Sequence, residues 1–76
     1  MTRLTDVKPG KKARIIHMGV KGPAGRRYME MGVVRGETIK VVRVAPLGDP
    51  IEIEVKGYNL SLRKDEAGLI IVEVVK

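Results

Sequence analysis

The chain has 76 residues, and fifteen lysines and arginines against nine acidic residues give it a formal charge of +6. It contains no cysteine, which excludes disulfide frameworks and thiolate metal sites and favours a reducing compartment. Its two tyrosines are the only aromatic residues, so it lacks the stacking platforms of single-strand nucleic-acid modules and the aromatic grooves that bind proline-rich peptides.

A chain of this length has room for one small hydrophobic core, so we expect residues 1–76 to form a single domain. Residues 1–12 contain no apolar run suited to a signal peptide, and the longest apolar run, Leu69 to Val72, is too short to cross a membrane. We therefore expect a soluble, cytoplasmic protein that is not inserted into a membrane. The positive charge could attract nucleic acid, an anionic membrane surface or an acidic protein, or serve only to keep the domain soluble.

The first third of the chain predicts a tight turn, a strand and a loop. Pro9-Gly10 suits the two central positions of a turn, because proline presets its own φ and glycine accepts a positive φ. The β-branched segment at residues 13–18 predicts the first strand. Residues 19–25 contain three glycines and a proline, which predicts a loop.

A short helix is predicted over residues 24–31. Ala24, Tyr28 and Met31 follow one another at the i, i+4, i+7 spacing of one helix face. Gly32 follows at the position of a C-terminal cap. A helix of two turns is unstable alone, so we expect it to pack against the strands.

Residues 33–44 predict a turn at Arg35-Gly36 and a second strand. Their spacing repeats that of the start of the chain, since the apolar and glycine positions 7, 10, 13, 15 and 16 recur at 33, 36, 39, 41 and 42. Two copies are too few for a repeat architecture. We interpret the recurrence as one local structure, a turn that leads into a strand, formed twice in the chain.

A β-hairpin is predicted over residues 51–62, after a connection rich in proline and glycine at residues 45–50. Apolar and polar residues alternate on both sides of Lys56-Gly57. A two-residue loop there opposes three apolar pairs: Val55 with Tyr58, Ile53 with Leu60, and Ile51 with Leu62. A shift by one residue would place glutamates in the core, so the pattern predicts one register.

Two further elements complete the chain. Residues 64–68 predict a single polar turn, and residues 69–75 predict a last strand that is buried on much of both faces. The chain is therefore predicted to be all-β. Five short strands, with one short helix between the first and second, are best accommodated by a sheet that curls into a small barrel.

Three stretches of the chain resemble the FeoA family of small accessory proteins of bacterial ferrous iron uptake: RRYMEMGVVRGETI at 26–39, APLGDPI at 45–51 and GYNLSLRKDEA at 57–67. The resemblance runs from Leu4 to Val74 and implies a five-stranded SH3-like barrel with one short helix between strands 1 and 2. It also implies a partner, the FeoB-type ferrous iron transporter, contacted through its cytosolic GTP-binding domain or as the full-length protein. Tyr28 departs from the family pattern, which has an aliphatic residue there.

No enzyme, cofactor or catalytic residue is predicted, because the chain offers no pair of nucleophile and base. A metal site is not predicted either. The candidate ligands are one histidine, three methionines and one glutamate, a poor set for ferrous iron: His17, Met18, Met29, Glu30 and Met31. Residues 22–27 lack the residue order of a phosphate-binding loop, so GTP binding is not expected.

Two other functions stay open as alternatives. A small basic barrel could bind nucleic acid, although the lack of aromatic residues means that no nucleic-acid partner is expected. Domains similar to this one also occur at the end of iron-dependent repressors, so an iron-responsive sensor module is the second alternative.

Four residues are predicted to bind a partner: Arg26, Arg27, Pro46 and Leu47. The arginine pair either belongs to a solvated face, which is the favoured interpretation, or meets carboxylates on the partner. Leu47 either tucks against the barrel, which is the favoured interpretation, or forms an exposed apolar tip. Glu52 and Glu54 are interpreted as part of an exposed sheet face, with Glu52 pairing diagonally with Arg63.

Overall fold

The computed structural model describes all 76 residues, which form six short strands, two α-helices and one 3-10 turn. The 3-10 turn spans Leu4–Asp6, and the other elements are β1 (Thr2–Arg3), β2 (Lys12–Met18), α1 (Gly22–Glu30), β3 (Thr38–Val44), β4 (Ile51–Val55), β5 (Tyr58–Leu62), α2 (Lys64–Ala67) and β6 (Ile70–Val75). All strand pairings are antiparallel, in the order β1-β6-β2-β3-β4-β5. The molecule measures 26 Å along each principal axis, so the sheet curls around its core.

The predicted all-β fold, with a short helix between its first two long strands, is confirmed, and the structure adds a sixth strand. In β1, Thr2 lies opposite Val72 and Arg3 lies opposite Ile71, so this strand extends the sheet beyond β6. Two residues are too few to show an alternating pattern, which is why the sequence did not reveal β1.

The predicted hairpin is confirmed in position and in register. Ile51 lies opposite Leu62, Ile53 opposite Leu60, and Val55 opposite Tyr58. The two turn residues have positive φ angles, 52° at Lys56 and 86° at Gly57, as a two-residue hairpin loop of type I′ requires. Tyr58 is nevertheless 42% exposed, because its ring lies at the turn and its hydroxyl donates to the carbonyl oxygen of Met31.

The core contains sixteen buried residues and no buried polar or charged side chain. Its largest fully buried members come from strands β2 to β6, the 3-10 turn and the segment after α1: Leu4, Ile15, Val33, Ile39, Val41, Ile53, Val55, Leu62 and Ile70. The last strand is less buried than predicted. Ile70 and Val72 are in the core, but Val74 and Val75 are more than 40% exposed. Val75 is on the outer face of β6, and Val74, although on the same face as Ile70 and Val72, lies near the end of the strand.

The repeated spacing corresponds to a local two-fold arrangement in which residues 26 positions apart are equivalent. Ala13 on β2 lies opposite its own equivalent, Ile39 on β3. The N–H of Gly10 donates to the carbonyl of Val41 at 2.7 Å, and the N–H of Gly36 donates to the carbonyl of Ile15, also at 2.7 Å. The two copies of the pattern therefore hold each other in place across the β2–β3 pair.

Helix α1 begins two residues earlier than predicted, and its C-terminal cap is where the sequence placed it. Pro23 lies in the first turn of the helix, where its missing N–H costs nothing. At the other end Gly32 has a φ of 102°. Its N–H donates to the carbonyl of Met29 and that of Val33 donates to the carbonyl of Tyr28, at 3.1 and 3.0 Å, which is a Schellman motif.

The predicted diagonal pair of Glu52 and Arg63 does not form. Glu52 is 3.9 Å from Arg43, which lies opposite it on β3, and it accepts a hydrogen bond of 2.9 Å from the amide of Asn59. Arg63 pairs instead with Asp65 at 3.7 Å. Directly opposed residues are closer than diagonal ones, so the neighbour on β3 takes the carboxylate.

Candidate partner-binding surface

The loop that joins β3 to β4 carries two of the predicted site residues, Pro46 and Leu47. The side chain of Leu47 is 91% exposed, so the favoured interpretation, that it tucks against the barrel, is wrong. The N–H of Gly48 donates to the carbonyl of Ala45 at 2.7 Å, which makes Pro46 and Leu47 the two central residues of a tight turn. The turn places Leu47 at the tip.

This loop is tied to α2. A carboxylate oxygen of Asp49 accepts a hydrogen bond of 3.0 Å from the backbone N–H of Lys64, the first residue of the helix. At the base of the loop, the N–H of Ala45 donates to the carbonyl of Pro50 at 3.1 Å. Leu47 is therefore an apolar side chain held out on a loop that is anchored at both ends.

The other predicted pair, Arg26 and Arg27, lies on α1. Both side chains are exposed and neither forms an ion pair within the chain. The guanidinium of Arg27 lies 5.5 Å from the centre of the Tyr28 ring, within the range of a cation–π contact. No hydrogen bond or ion pair connects these arginines to the Leu47 loop, so the structure does not join the four predicted residues into one cluster.

Tyr28 connects α1 to α2. Its side chain is only 2% exposed, and its hydroxyl donates a hydrogen bond to a carboxylate oxygen of Glu66. Tyr28 thus makes a polar link that an aliphatic side chain at this position could not make. Burial, and after it the hydrogen bond and negative charge of Glu66, raise the pKa of the Tyr28 phenol above its ordinary value of 10.0.

Tyr28→Phe should lower the free energy of unfolding at neutral pH by about 1–2 kcal/mol, because Glu66 loses its donor. The raised pKa also predicts the alkaline behaviour. The folded protein keeps the phenol neutral while the unfolded chain ionises it near pH 10, so the contribution of Tyr28 is complete below about pH 10 and is lost as the pH rises further. Urea unfolding at about pH 7, 9 and 10.5 should show a steeper alkaline loss for the wild type than for Tyr28→Phe, whereas parallel losses would contradict this account.

An apolar groove that the sequence did not reveal lies on the outer side of β6 and β2. It has a volume of about 510 Å³ and is lined by four apolar side chains, beside Arg3 and His17: Met1, Ile16, Leu69 and Ile71. Leu69 is 52% exposed and Ile16 is 41% exposed. The signal was the adjacent pair Ile15-Ile16, because a regular strand with one buried face cannot bury two consecutive residues. The pairing of β2 with β6 is irregular at this point, and Ile16 is 41% exposed.

The groove continues into the neighbourhood of the Leu47 loop. An adjoining cleft of about 620 Å³ shares Arg3, Gly68 and Leu69 with the groove. Its other lining residues come from the 3-10 turn, the end of the loop and the start of α2: Thr5, Asp49, Arg63, Lys64 and Asp65. Leu69 lines both the groove and the cleft, and the loop that carries Leu47 reaches the cleft at Asp49, so we treat the groove, the cleft and the tip of this loop as one candidate surface. We call this the Leu47–Leu69 surface.

Metal ligands do not converge anywhere in the chain, since no group of three or more histidine, cysteine, aspartate or glutamate side chains is placed to hold an ion. His17, the single histidine, lines the apolar groove near Arg3. None of the helices is both long enough and apolar enough to cross a membrane.

Comparison with known proteins gives consistent matches over the whole chain. The model of the FeoA domain family matches residues 2–74. A relative from Porphyromonas gingivalis, described as a fusion of Fe(2+) transport protein A with the Fe(2+) transporter FeoB, is 41% identical over 73 residues. Those residues make up 96% of this chain but only 9% of the relative.

Two solved structures resemble this one over nearly its full length. The solution structure of FeoA from Chlorobium tepidum is 39% identical in sequence and has a TM-score of 0.93. The match covers 99% of this chain and 71% of the other. The crystal structure of FeoA from Stenotrophomonas maltophilia, complexed with zinc and described as an SH3 domain protein, is 25% identical. Its TM-score is 0.82, and the match covers 96% of this chain and 91% of the other. The SH3-like fold is thereby confirmed.

Proposed function

This chain belongs to the FeoA domain family, whose members are accessory to ferrous iron transport, and from that premise we propose that it acts by binding the cytosolic GTP-binding domain of a FeoB-type transporter. In this proposal the chain is no enzyme and holds no cofactor. Its role is to supply a surface that binds the transporter domain.

The fusion relative is the observation that carries the proposal. A chain that joins an Fe(2+) transport protein A segment to FeoB keeps the two parts at a high effective concentration. A fusion of this kind is useful when the two parts contact each other, so it supports a contact between the separate proteins as well.

The Leu47–Leu69 surface is the part of the chain that we assign to this contact. An exposed apolar side chain on an anchored loop loses little conformational entropy on binding, which makes Leu47 a suitable anchor. Exposed apolar patches rimmed by polar residues are typical of protein interfaces. Pro46 would hold the loop in shape, while Arg26 and Arg27, unpaired within the chain, would meet carboxylates at the edge of the partner.

The test is a binding measurement with the purified cytosolic domain of the transporter and with the full-length transporter in detergent. Leu47→Asp should weaken binding roughly tenfold or more, because a buried interface would have to accept an unpaired charge. Val74→Asp is the matched control, since it introduces the same charge at an exposed apolar side chain near the end of β6 that lines neither the groove nor the cleft.

Equal loss of binding in both variants would refute the assignment of the surface. Failure of the wild-type chain to bind either form of the transporter would refute the proposed function itself. A labelled RNA in the same assay is the control for binding that depends on charge alone. The affinity of such binding should fall steeply as the salt concentration is raised.

A further inference from the structure

A second surface, at the other end of β2 and β6, is formed around the turn that leads into β2. The N–H of Lys11 donates to the carbonyl of Lys8 at 3.1 Å, and Gly10 within the turn has a φ of 90°. The turn is fastened to β3, because Val41 accepts from Gly10 and donates to Lys11, at 2.7 and 3.0 Å. Lys8, Lys11 and Lys12 are all exposed on this fixed backbone.

A fourth lysine joins them across the sheet. Lys40 on β3 lies directly opposite Lys12 on β2, an arrangement that like charges disfavour. None of the four lysines takes part in any of the four ion pairs of the chain. Glu54 lies opposite Lys40 on β4, yet the two do not form an ion pair either.

Two exposed valines adjoin the lysines. Val42 follows the residue to which the turn is fastened, and Val75 lies opposite Lys12. Their side chains are 37% and 42% exposed. We call the combined surface the basic corner; it consists of Lys8, Lys11, Lys12 and Lys40 with Val42 and Val75.

The fold does not require lysine at these positions. The equivalent turn in the second copy of the repeated pattern has the same backbone, with a φ of 92° at Gly36 and a hydrogen bond of 3.0 Å from the N–H of Glu37 to the carbonyl of Val34. There the residues equivalent to Lys8, Lys11 and Lys12 are Val34, Glu37 and Thr38. The same turn is thus built with one carboxylate and no lysine.

We propose that the basic corner binds the surface of a membrane that contains anionic phospholipid. Lysine is a compact point charge without the flat fork with which arginine reads phosphates and bases, so a lysine cluster suits a diffuse layer of charged headgroups. Exposed valines gain by entering the interfacial region of a bilayer, whereas nucleic acid offers them little. The basic corner contains no arginine and no aromatic residue.

This contact is additional to the binding of a transporter and uses separate residues. It would place the domain on the bilayer with the Leu47–Leu69 surface left free, because none of the residues that line the groove and the cleft belongs to the basic corner. The two proposals can therefore fail independently.

The experiment is co-sedimentation of the whole chain with vesicles of equal parts phosphatidylglycerol and phosphatidylcholine, at about 0.1 M salt, against vesicles of phosphatidylcholine alone. A lysine near an anionic surface raises binding about fivefold, so the triple variant Lys8→Gln, Lys11→Gln, Lys12→Gln should lower the partition coefficient roughly 100-fold. The wild-type chain should bind little to phosphatidylcholine.

The matched control removes three other positive charges, Lys21→Gln, Arg26→Gln and Arg35→Gln. Both triple variants have a net charge of +3, which is the original +6 less three, so a difference between them reports position and not total charge. Circular dichroism checks that both are folded.

The proposal is overturned if the wild-type chain does not sediment with the anionic vesicles, or if the control loses as much binding as the basic-corner variant. It is also overturned if a short RNA displaces the chain from the vesicles and the basic-corner variant alone loses RNA binding, since the ligand would then be nucleic acid. Selective loss of vesicle binding in the basic-corner variant supports it.

Discussion

Ile53→Asp is expected to unfold the domain. Ile53 is fully buried at the centre of β4, with Val41 opposite it on one neighbouring strand and Leu60 on the other. A carboxylate there has no partner, and the cost of burying it, about 4–5 kcal/mol, is comparable to the roughly 4–11 kcal/mol that holds a domain of this size together. Thermal denaturation followed by circular dichroism should show no cooperative transition at neutral pH.

The control is Glu54→Asp, one position further along β4. It introduces the same residue type on the exposed outer face, where the chain already carries a carboxylate, so the melting temperature should stay within a few degrees of the wild type. Burial also raises the pKa of a carboxyl group, so the difference between the two variants should shrink at about pH 4. A wild-type melting temperature for Ile53→Asp would show that the strand register is wrong.

Gly25→Ala should cost about 3 kcal/mol or more, although alanine is the better helix former. A Cβ at Gly25 would overlap the carbonyl oxygen of Val20 and lie 2.7 Å from its carbonyl carbon. Both are backbone atoms, so no side-chain rotation relieves the overlap and α1 must move away. That movement would withdraw Tyr28 from the core.

Gly68→Ala provides the matched comparison, because this glycine has ordinary helical angles, a φ of −66° and a ψ of −13°. Its Cβ would approach no atom closer than the carbonyl oxygen of Lys64 at 3.5 Å, an ordinary contact. Urea unfolding should find this variant unchanged or stabilised by roughly 0.5 kcal/mol. Similar losses in the two variants would mean that the close approach of α1 to Val20 is not the cause.

Local patterns predicted the hairpin and the cap of α1 because each depends on residues close together in the chain. Alternation over five residues identifies the buried face of a strand, and a glycine after Met31 identifies a left-handed cap. The repeated spacing was also visible, but its reciprocal hydrogen bonds across β2 and β3 appear only when both copies are placed side by side.

The exposed side chains of the candidate site were harder to predict, because the exposure of a side chain depends on neighbours that are distant in sequence. Leu47 was expected to tuck against the barrel, and the tie between Asp49 and Lys64 instead holds its loop outward. Ile16 lies in a β-branched strand directly after the buried Ile15, and the irregular pairing with β6 leaves it 41% exposed. Neither outcome follows from a window of neighbouring residues.

The amino-acid sequence by itself determined the all-β fold, the hairpin register, the helix cap and the family, since these rest on periodicity, turn chemistry and motif spacing within short segments. Only the tertiary structure decided which apolar residues remain in solvent and which charges stay unpaired. The Leu47–Leu69 surface joins α2 to residues from both ends of the chain, and the basic corner joins β2, β3 and β6. Surfaces of this kind are created when strands that are remote in sequence become neighbours, so the physical information that specifies them lies in the pairing and not in any one segment.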